Sequence, residues 1–515
     1  MADDATKRFC KRYKAAKEKR ERHNQIIEEC YEYGMPLRER PYGTREGDPD
    51  LDRLYDATAP GAVQDLASEM LDDIWPTDAK PFELKAGRRV PEGERDEVDK
   101  ALAEVTEEIV ETINNSNFRH AAHQGLMDWA GPGTGIILPE AGDYLEPVRF
   151  RDLPLPEAIT DVGPFDTVDA LFRPRKVKAG DILTIWPKAV LDDRLATLSR
   201  DDPQKEVELV EGFERDWSNK GTETWTFRVV TGAGNEDKTL LEGKVSGPGS
   251  KPFVDFSYMR VHNESVGRGP MQLALPAIKS LNLLQQYILE AGDLAIGGMW
   301  AVDDDGVINP DTIVIEPRTI IPRSPGGKGI ERLDTGADFR IGDFLVKELQ
   351  AQVKGIMFGD DLGPAEGTPM SATEVLQRTS NRARRRAGPY SRLIVELLFQ
   401  TVRRTAHLLV KAGRIVLPDI DGRTIVFRPL SPLTRAQAQD EILRHARFVE
   451  MGNALHGPQQ MALKVDAMAS IEWMARKFGE DPRILRSGVA MEQLATVIAG
   501  MEAMAAQQQQ TAMAA

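Results

Sequence analysis

Residues 336–413 read GADFRIGDFLVKELQAQVKGIMFGDDLGPAEGTPMSATEVLQRTSNRARRRAGPYSRLIVELLFQTVRRTAHLLVKAG, and the rest of the chain is arranged around them. At the beginning of this stretch, apolar residues recur every three or four positions, the spacing of one face of an α-helix. The spacing predicts a helix over residues 336–358. Its predicted apolar face consists of Ile341, Leu345, Leu349, Val353 and Ile356.

The next segment, Gly359–Pro369, has the composition of a loop. It contains three glycines, two prolines and the acidic residues Asp360, Asp361 and Glu366. This density of helix and strand breakers is incompatible with regular secondary structure.

A second helix is predicted to begin at Ser371. Ser371 can cap the helix, and Glu374 completes an S-x-x-E capping box. No strong stop follows until Gly413, about 40 residues later, which gives a rod approaching ~60 Å. Pro389, preceded by Gly388, cannot donate to the carbonyl of Arg385, so we expect a kink there. A rod longer than an ordinary domain needs neighbours, and copies of the same chain are the simplest ones.

Composition narrows the class of protein. The chain has 515 residues, with 66 Lys and Arg against 81 Asp and Glu, giving a net charge of −15. This balance disfavours tight general binding of nucleic acid. Two cysteines, Cys10 and Cys30, provide no disulfide framework and indicate a reducing compartment. Neither a signal peptide nor an apolar run long enough to span a membrane is recognisable, so a soluble protein made inside the cell is expected.

The first 265 residues predict an α+β arrangement. Helical patterns cover residues 6–33, 55–74 and 98–113. Alternating, β-rich runs then predict an antiparallel sheet, with a helical insert in part of 179–199. The predicted strands are Glu206–Phe213, Thr222–Val230, Thr239–Val245 and Phe253–Val261.

A helix over Met271–Ala295 and the helix at 336–358 predict a helical hairpin with a small β module at its tip. The candidate strands of that module are Met299–Val302, Thr312–Ile315 and Thr319–Ile321. Short strands at Arg414–Val416 and Thr424–Phe427, and then helices, follow the long rod. The glutamine-rich end of the chain is predicted to fray. The fold class is therefore α+β and mostly helical.

Several short motifs occur along the chain. They are LYDATA at 54–59 with LAS at 66–68, GPGTGII at 131–137, VGRGP at 266–270 with IKSLN at 278–282, and SATEV at 371–375. In this order the motifs resemble those of the head-to-tail connecting (portal) protein of short-tailed bacteriophages. In the opening motif of the long helix, Ser371 replaces the family's usual first Thr. The order and spacing of the motifs over about 400 residues are more specific than any single motif.

The resemblance implies a portal fold assembled as a ring of about twelve subunits, in which each segment has a named role. The segments would be a wing (1–265), two stem helices (266–296 and 336–358), a clip (297–335), a channel or tunnel loop (359–370), a long kinked helix with the wing return (371–431), and a crown (432–515). Double-stranded DNA would pass through the channel without sequence specificity during packaging and ejection.

The resemblance also implies partners and a location. The partners would be the major capsid protein, the scaffolding protein, the large terminase subunit and the tail adaptor protein, with no membrane. The protein would be made in the bacterial cytoplasm and placed at the capsid vertex, where it nucleates head assembly. Alternatives are another ring-forming head–tail adaptor or a packaging-associated nuclease or ATPase.

Three groups of residues are candidate sites. Asp360, Asp361 and Glu366 are expected to face the channel; alternatively they form an exposed loop without a DNA role. Arg378, Arg382, Arg385 and Arg386 would pair with acidic residues of the next subunit, or else meet DNA phosphates at the channel mouth. The clip residues would dock the adaptor or terminase, and they are Asp303, Asp304, Asp305, Thr312, Ile315 and Ile320.

No catalytic site is predicted. The glycine-rich segment Gly131–Gly135 is not followed by Lys and Ser or Thr, so it is a structural turn rather than a phosphate-binding loop. No nucleophile with an adjacent base stands out, and the scattered histidines do not form a metal-binding pattern. We therefore expect no enzyme activity, metal or cofactor.

Overall fold

The structure, a computed structural model, describes residues 2–38, 53–77, 79–87, 89–218, 221–231, 238–297, 299–301, 331–333, 339–359, 385–416, 425–430 and 432–478. The chain divides into two compact units. One consists of Met1–Thr77 and Leu84–Phe427, and the other of Asp78–Glu83 and Arg428–Ala515.

The chain is an α+β protein, as predicted. Its helices are α1 Ala2–Gly34, α2 Thr58–Ile74, α3 Glu92–Asn114, α4 Phe118–Ala130, α5 Ile182–Ile185, α6 Asp193–Asp201, α7 Pro270–Gly297, α8 Phe339–Ile356, α9 Phe399–Lys411, α10 Pro432–His456, α11 Pro458–Lys464 and α12 Ala467–Phe478. Its strands are β1 Phe82–Ala86, β2 Thr134–Ala141, β3 Val148–Asp152, β4 Ile159–Val162, β5 Val168–Lys178, β6 Glu206–Arg215, β7 Thr224–Thr231, β8 Thr239–Ser246, β9 Val254–Ser257, β10 Met299–Ala301, β11 Glu331–Leu333 and β12 Ile425–Pro429.

The largest sheet is a five-stranded meander. Strands β4 to β8 lie in chain order, and each is antiparallel to the next. At its centre, Val210 of β6 pairs with Pro174 of β5 on one side and with Val230 of β7 on the other. The strands predicted from 206, 222 and 239 are confirmed as β6, β7 and β8, and the sheet also contains β4 and β5, which the sequence pattern did not indicate.

Helix α1 packs on one face of this sheet. Its apolar stripe, which includes Phe9, Tyr13 and Ala16, is buried in one cluster with Phe172 and Val210. The rings of Phe9 and Phe172 meet edge to face at 5.1 Å. Burial of a large apolar side chain contributes about 1.5–3 kcal/mol, so this stripe holds the otherwise polar helix in place.

The helical insert between β5 and β6 covers part of the opposite face. Neighbouring residues on a strand point to opposite faces, so Leu209 lies on the side away from α1. There it packs with Ile182 and Trp186 from the insert and with Val229 of β7. The helices predicted within 179–199 are confirmed as α5 and α6.

The predicted strand at 253–261 does not extend the meander. It is confirmed as β9, but it pairs with β2 in a separate sheet ordered β3-β2-β9. The physical reason is the connection from β8, in which Gly247 and Gly249 adopt positive φ angles of 111° and 73°. Glycine adopts positive φ angles at low energetic cost, and these two glycines turn the chain away from the meander.

The helical hairpin forms as predicted from α7 and α8. Of the predicted tip strands, the first is confirmed as β10, which pairs antiparallel with β11, a strand the sequence did not indicate. The candidate strands Thr312–Ile315 and Thr319–Ile321 lie outside the described residues.

The long rod is described from residue 385 onward. Residues 385–393 are helical, Ile394–Leu398 form a π-helical turn, and α9 continues to Lys411. The backbone stays helical through Gly388 and Pro389. The predicted strand at Arg414–Val416 was wrong because this segment leaves α9 without pairing, whereas the strand at Thr424–Phe427 is confirmed as β12. Helices α10 to α12 belong to the second unit, where His445 contacts the Ser470 hydroxyl at 2.7 Å.

Candidate functional site: the helical hairpin and the base of the acidic loop

The start of α2 is fixed by Asn282 of α7. The Asn282 amide donates to the carbonyl of Arg53 at 2.8 Å, and its Oδ1 accepts from the backbone N–H of Tyr55 at 2.7 Å. Asp56 in turn accepts from Gln350 of α8 at 2.9 Å. The motifs LYDATA and IKSLN, more than 200 residues apart in sequence, therefore meet where α2, α7 and α8 come together.

The two glycine-rich motifs also meet. The N–H of Gly267 donates to Thr134 Oγ1 at 2.6 Å, and the Gln272 amide donates to the Pro132 carbonyl at 2.7 Å. Gly133 has φ 100°, and a Cβ there would lie 2.2 Å from the Gly269 nitrogen. The turn at Gly131–Gly135 therefore has a structural role, because it anchors the first residues of α7 against the entry to β2.

Each helix of the hairpin has one face packed inside the chain. On α7, Ile278 and Leu281 are buried. On α8 the predicted face is only partly correct. Val353 is buried, but Ile341 and Leu345 are exposed, because the N-terminal half of α8 meets α7 through Gly342, whose Cβ position lies 3.1 Å from Ile288.

A second apolar stripe remains exposed on both helices. On α7, Leu273, Leu283 and Tyr287 are exposed, with Leu273 at 75%. On α8, Phe344 at 66% joins Ile341 and Leu345 at helical spacing. Apolar residues repeating at three and four positions on an exposed face are typical of helices that pack against another helix.

The base of the Gly359–Pro369 loop is held by two arginines from the start of the long rod. Arg385 Nη2 donates to the Gly355 carbonyl at 3.1 Å, and Arg386 Nη2 donates to the Phe358 carbonyl at 2.9 Å. Arg386 is buried and forms an ion pair with Glu69 of α2. Guanidinium groups near the C-terminal carbonyls of a helix interact favourably with its dipole. The two arginines therefore hold residue 385 close to the end of α8.

The sequence pattern indicated neither of these intrachain contacts of Arg385 and Arg386. Both side chains bind groups of their own chain, and the signal that could have indicated this is their position directly across the loop from the end of α8. The other two arginines of the cluster, Arg378 and Arg382, lie outside the described residues.

Most of the other candidate residues also lie outside the described part of the chain. They are Asp303, Asp304, Asp305, Thr312, Ile315, Ile320, Asp360, Asp361, Glu366, Ser371 and Glu374. A kink at Pro389 remains a prediction, and the part of the rod that the structure describes contains the π-helical turn Ile394–Leu398. Glu396 within that turn accepts from the N–H of Ser257 in β9 at 2.8 Å.

A cavity of about 560 Å³ lies between α2 and α8, next to Gly359. Asp56, Asp65, Glu69 and Lys354 line it. Among the described residues, no group of three or more His, Cys, Asp or Glu side chains could hold a metal ion. Within the same ranges, no helix has both the length and the apolar character needed to cross a bilayer.

The chain matches the family of bacteriophage head to tail connecting proteins over residues 6–485. It belongs to this family, and it is therefore a structural protein of a phage-like particle, a head–tail connector, rather than an enzyme. A search of curated proteins finds no significant match.

Solved structures give distant similarities to gene transfer agent particles. A chain in the neck of an empty particle has 12% identity, covering 86% of this chain and 96% of that chain, with a TM-score of 0.36. A chain in the native virion has 12% identity, with the same coverage and a TM-score of 0.38. A chain in the native neck computed with C12 symmetry has 11% identity, covering 83% and 96%, with a TM-score of 0.36.

Proposed function

We propose that the protein is the portal of a short-tailed phage, a ring of about twelve copies around a channel for double-stranded DNA. The observation that carries this proposal is the exposed apolar stripe on both helices of the hairpin. Side-by-side copies would bury Leu283 and Tyr287 of α7, and Phe344 of α8, against neighbouring hairpins. In this arrangement α7 and α8 are the stem, β10 and β11 belong to the clip, and residues 359–370 form the channel loop.

The charge of the chain suits a channel through which DNA must slide. Twelve copies at −15 each would carry about −180. Each phosphate neutralised by a protein cation adds affinity through counterion release, so a wall with few cations keeps the duplex mobile. Asp360, Asp361 and Glu366 would contribute to this anionic wall. The intrachain contacts of Arg385 and Arg386 support the same design, because they keep two cations occupied at the base of the loop.

The remaining parts of the proposal follow the family. The ring would occupy one capsid vertex and nucleate head assembly with the scaffolding and major capsid proteins. It would dock the large terminase subunit during packaging and the tail adaptor afterwards. Residues 303–305, 312, 315 and 320 of the clip would form the docking surface.

The test of the ring is the mass and shape of the purified full-length chain. Light scattering should give a mass of about twelve times 57.2 kDa, and negative-stain images should show rings with a central hole. A monomer or dimer at micromolar concentration would overturn the proposal.

The test of the channel is a photo-crosslinking residue at position 361. Filled heads should yield adducts with packaged DNA, whereas empty heads should not. Assembled, filled heads without adducts would refute the placement of the loop in the channel while leaving the ring intact.

A further inference from the structure

A second cavity, of about 460 Å³, lies where the five-stranded sheet, the end of β2 and α9 meet. Its sheet wall is formed by Phe213, Trp225 and Phe227, which lie on the face that carries Leu209 and Val229. Arg404 from α9 also lines the cavity. The site therefore combines an aromatic wall with a guanidinium group.

Arg404 differs from the other arginines that line the cavity. Arg151 is paired with Glu140 at 2.8 Å, and Arg175 lies 3.4 Å from Glu211. Arg404 reaches two backbone carbonyls, of Pro139 at 3.4 Å and Ser250 at 3.3 Å. Within the described part of the chain it forms no ion pair. Burial lowers the pKa of the Arg404 guanidinium to about 10, although Glu223 and Glu140 raise it from a distance.

Arg404 is partly buried and has no carboxylate beside it among the described residues, so no opposite charge compensates directly for its partial removal from water. The cavity is too small for a nucleic-acid duplex, and its size is that of a site for one or two side chains or a small ligand. The paired carboxylates of Glu140 and Glu211 in its wall would repel a doubly charged phosphate more than a single carboxylate. The rings favour apolar or aromatic atoms next to the bound charge.

We propose that this cavity binds a carboxylate carried on an apolar or aromatic stem, which pairs with Arg404 while its stem packs on Trp225 and Phe227. The carboxylate could come from a protein segment that places an acidic residue beside an aromatic one, or from a free aryl carboxylic acid. Both sources supply the same chemical group, a carboxylate on an apolar stem. The proposed binding does not depend on the ring or on the DNA channel.

The structure offers two variants that test this proposal separately. Arg404→Gln removes the charge that pairs with the carboxylate. Gly243→Leu, on β8, fills the cavity, because a Cβ at Gly243 meets no atom within 4 Å and the residue lines the cavity wall. Arg403→Gln is the matched control, because Arg403 is the adjacent residue on α9, exposed and paired with Glu223 at 3.2 Å.

Binding to the full-length protein is measured by ligand-observed NMR titration with 3-phenylpropionate. Its amide is the uncharged comparison, and a capped peptide with a central phenylalanine–glutamate pair represents the protein source. The acid should bind at least tenfold more tightly than the amide. Arg404→Gln and Gly243→Leu should each weaken binding at least tenfold, and Arg403→Gln should change it less than twofold.

The outcomes separate the sources and decide the proposal. Tighter binding of the peptide than of the free acid assigns the carboxylate to a protein segment, and the reverse order assigns it to a small molecule. The proposal is overturned if neither probe binds, if the amide binds as tightly as the acid, or if Arg403→Gln weakens binding as much as Arg404→Gln.

Discussion

Asp128, Arg38 and Tyr31 form a buried hydrogen-bonded group that ties the end of α1 to α4. Arg38 donates to both carboxylate oxygens of Asp128, at 3.0 and 2.7 Å, and the Tyr31 hydroxyl donates to the same carboxylate. Asp128 is fully buried and the Arg38 side chain is 6% exposed. Arg38 also donates to Asp152 at 3.3 Å. Loss of Asp128 would therefore leave Arg38 with one partly exposed counter-ion.

Asp128→Asn removes the charge at nearly constant volume. We expect the free energy of unfolding to fall by about 1–3 kcal/mol, because the charge-assisted bonds to Asp128 are lost and the partly exposed Asp152, 3.3 Å from Arg38, is the carboxylate that remains. Urea unfolding measures this loss, and the dependence of the unfolding free energy on urea concentration should be the same in the variant and the wild type. Asp72→Asn is the control, since the Asp72–Arg119 pair is exposed and should contribute less than ~1 kcal/mol. Equal losses in the two variants would contradict the assigned role.

Asp255 provides a pH-dependent contribution. Burial raises the pKa of its carboxyl group, but the Lys251 ammonium and the Arg260 guanidinium outweigh burial and hold the pKa below the ordinary 3.8. A carboxyl group whose pKa is lower in the folded than in the unfolded state stabilises the folded state at pH values above its unfolded-state pKa. This contribution is lost as the pH falls through its folded-state pKa.

Asp255→Asn should therefore lower the urea midpoint at pH 6, and the gap from the wild type should begin to close as pH falls below about 4. Unfolding curves from pH 6 to pH 3 measure this gap. Asp343→Asn, which alters an exposed pair with Lys347, should have little effect at either end. A gap that stays constant down to pH 3 would show that Asp255 is not held ionised by its two cations.

At the scale of elements, the turn between α4 and β2 fixes the start of α7. Gly133→Ala would place a methyl group against the backbone of residues 268 and 269, at a φ of 100° that L-residues rarely adopt. We expect a loss of more than about 2 kcal/mol of unfolding free energy. Thermal unfolding with far-UV circular dichroism is the measurement.

Gly61→Ala in α2 is the matched control for that prediction. A Cβ at Gly61 meets nothing within 4 Å, and alanine in place of glycine in a helix stabilises by about 0.5–1 kcal/mol. The two variants should therefore shift the unfolding temperature in opposite directions. A shift of Gly133→Ala in the same direction as Gly61→Ala would refute the argument.

The sequence predicted those elements whose own periodicity defines them. Helices α1, α7 and α8 each have an apolar stripe at helical spacing, and β6 to β8 are bounded by turn residues. Strand β5 was missed because its first five residues are all buried, so it lacks the alternation that marks a strand, and Pro174 argues against a central strand. The π-helical turn contains Glu396, which bonds to Ser257, 139 residues away, and no local pattern indicates such a contact.

In the candidate sites too, the sequence indicated features with a local pattern but not contacts between residues far apart in the chain. The motifs drew attention to α2, the glycine-rich turn and α7. They did not predict that Asn282 would bond to the backbone before α2, or that Gly133 would lie against Gly269. The run of arginines is evident in the sequence. The partner of Arg386, however, is Glu69, which is far away in the chain. Such contacts arise only from the tertiary fold.

At the scale of the whole molecule, the exposed stripes of α7 and α8 connect the fold of one chain to the proposed ring. A single chain packs the inner faces of the hairpin and leaves Phe344 and Tyr287 in solvent. Exposed apolar stripes of this kind usually mark interaction surfaces. In the proposed ring, every copy covers the stripe of its neighbour, so no chain is left with an open face.

Phe344→Glu tests this connection, because it places a charge on the stripe without touching the inner face of α8. Each subunit contact in the ring should weaken by roughly 2–4 kcal/mol, as for a central interface residue. Light scattering should then show smaller species, while circular dichroism and the unfolding temperature of the chain change little.

Val190→Glu is the control for this assembly prediction. Val190 is 74% exposed, comparable with Phe344, but it lies between α5 and α6, away from the hairpin. This variant should assemble like the wild type, because an added charge on a surface that stays in water costs little. If Phe344→Glu assembles normally, or if Val190→Glu disrupts assembly equally, the hairpin stripe is not the surface that joins the copies.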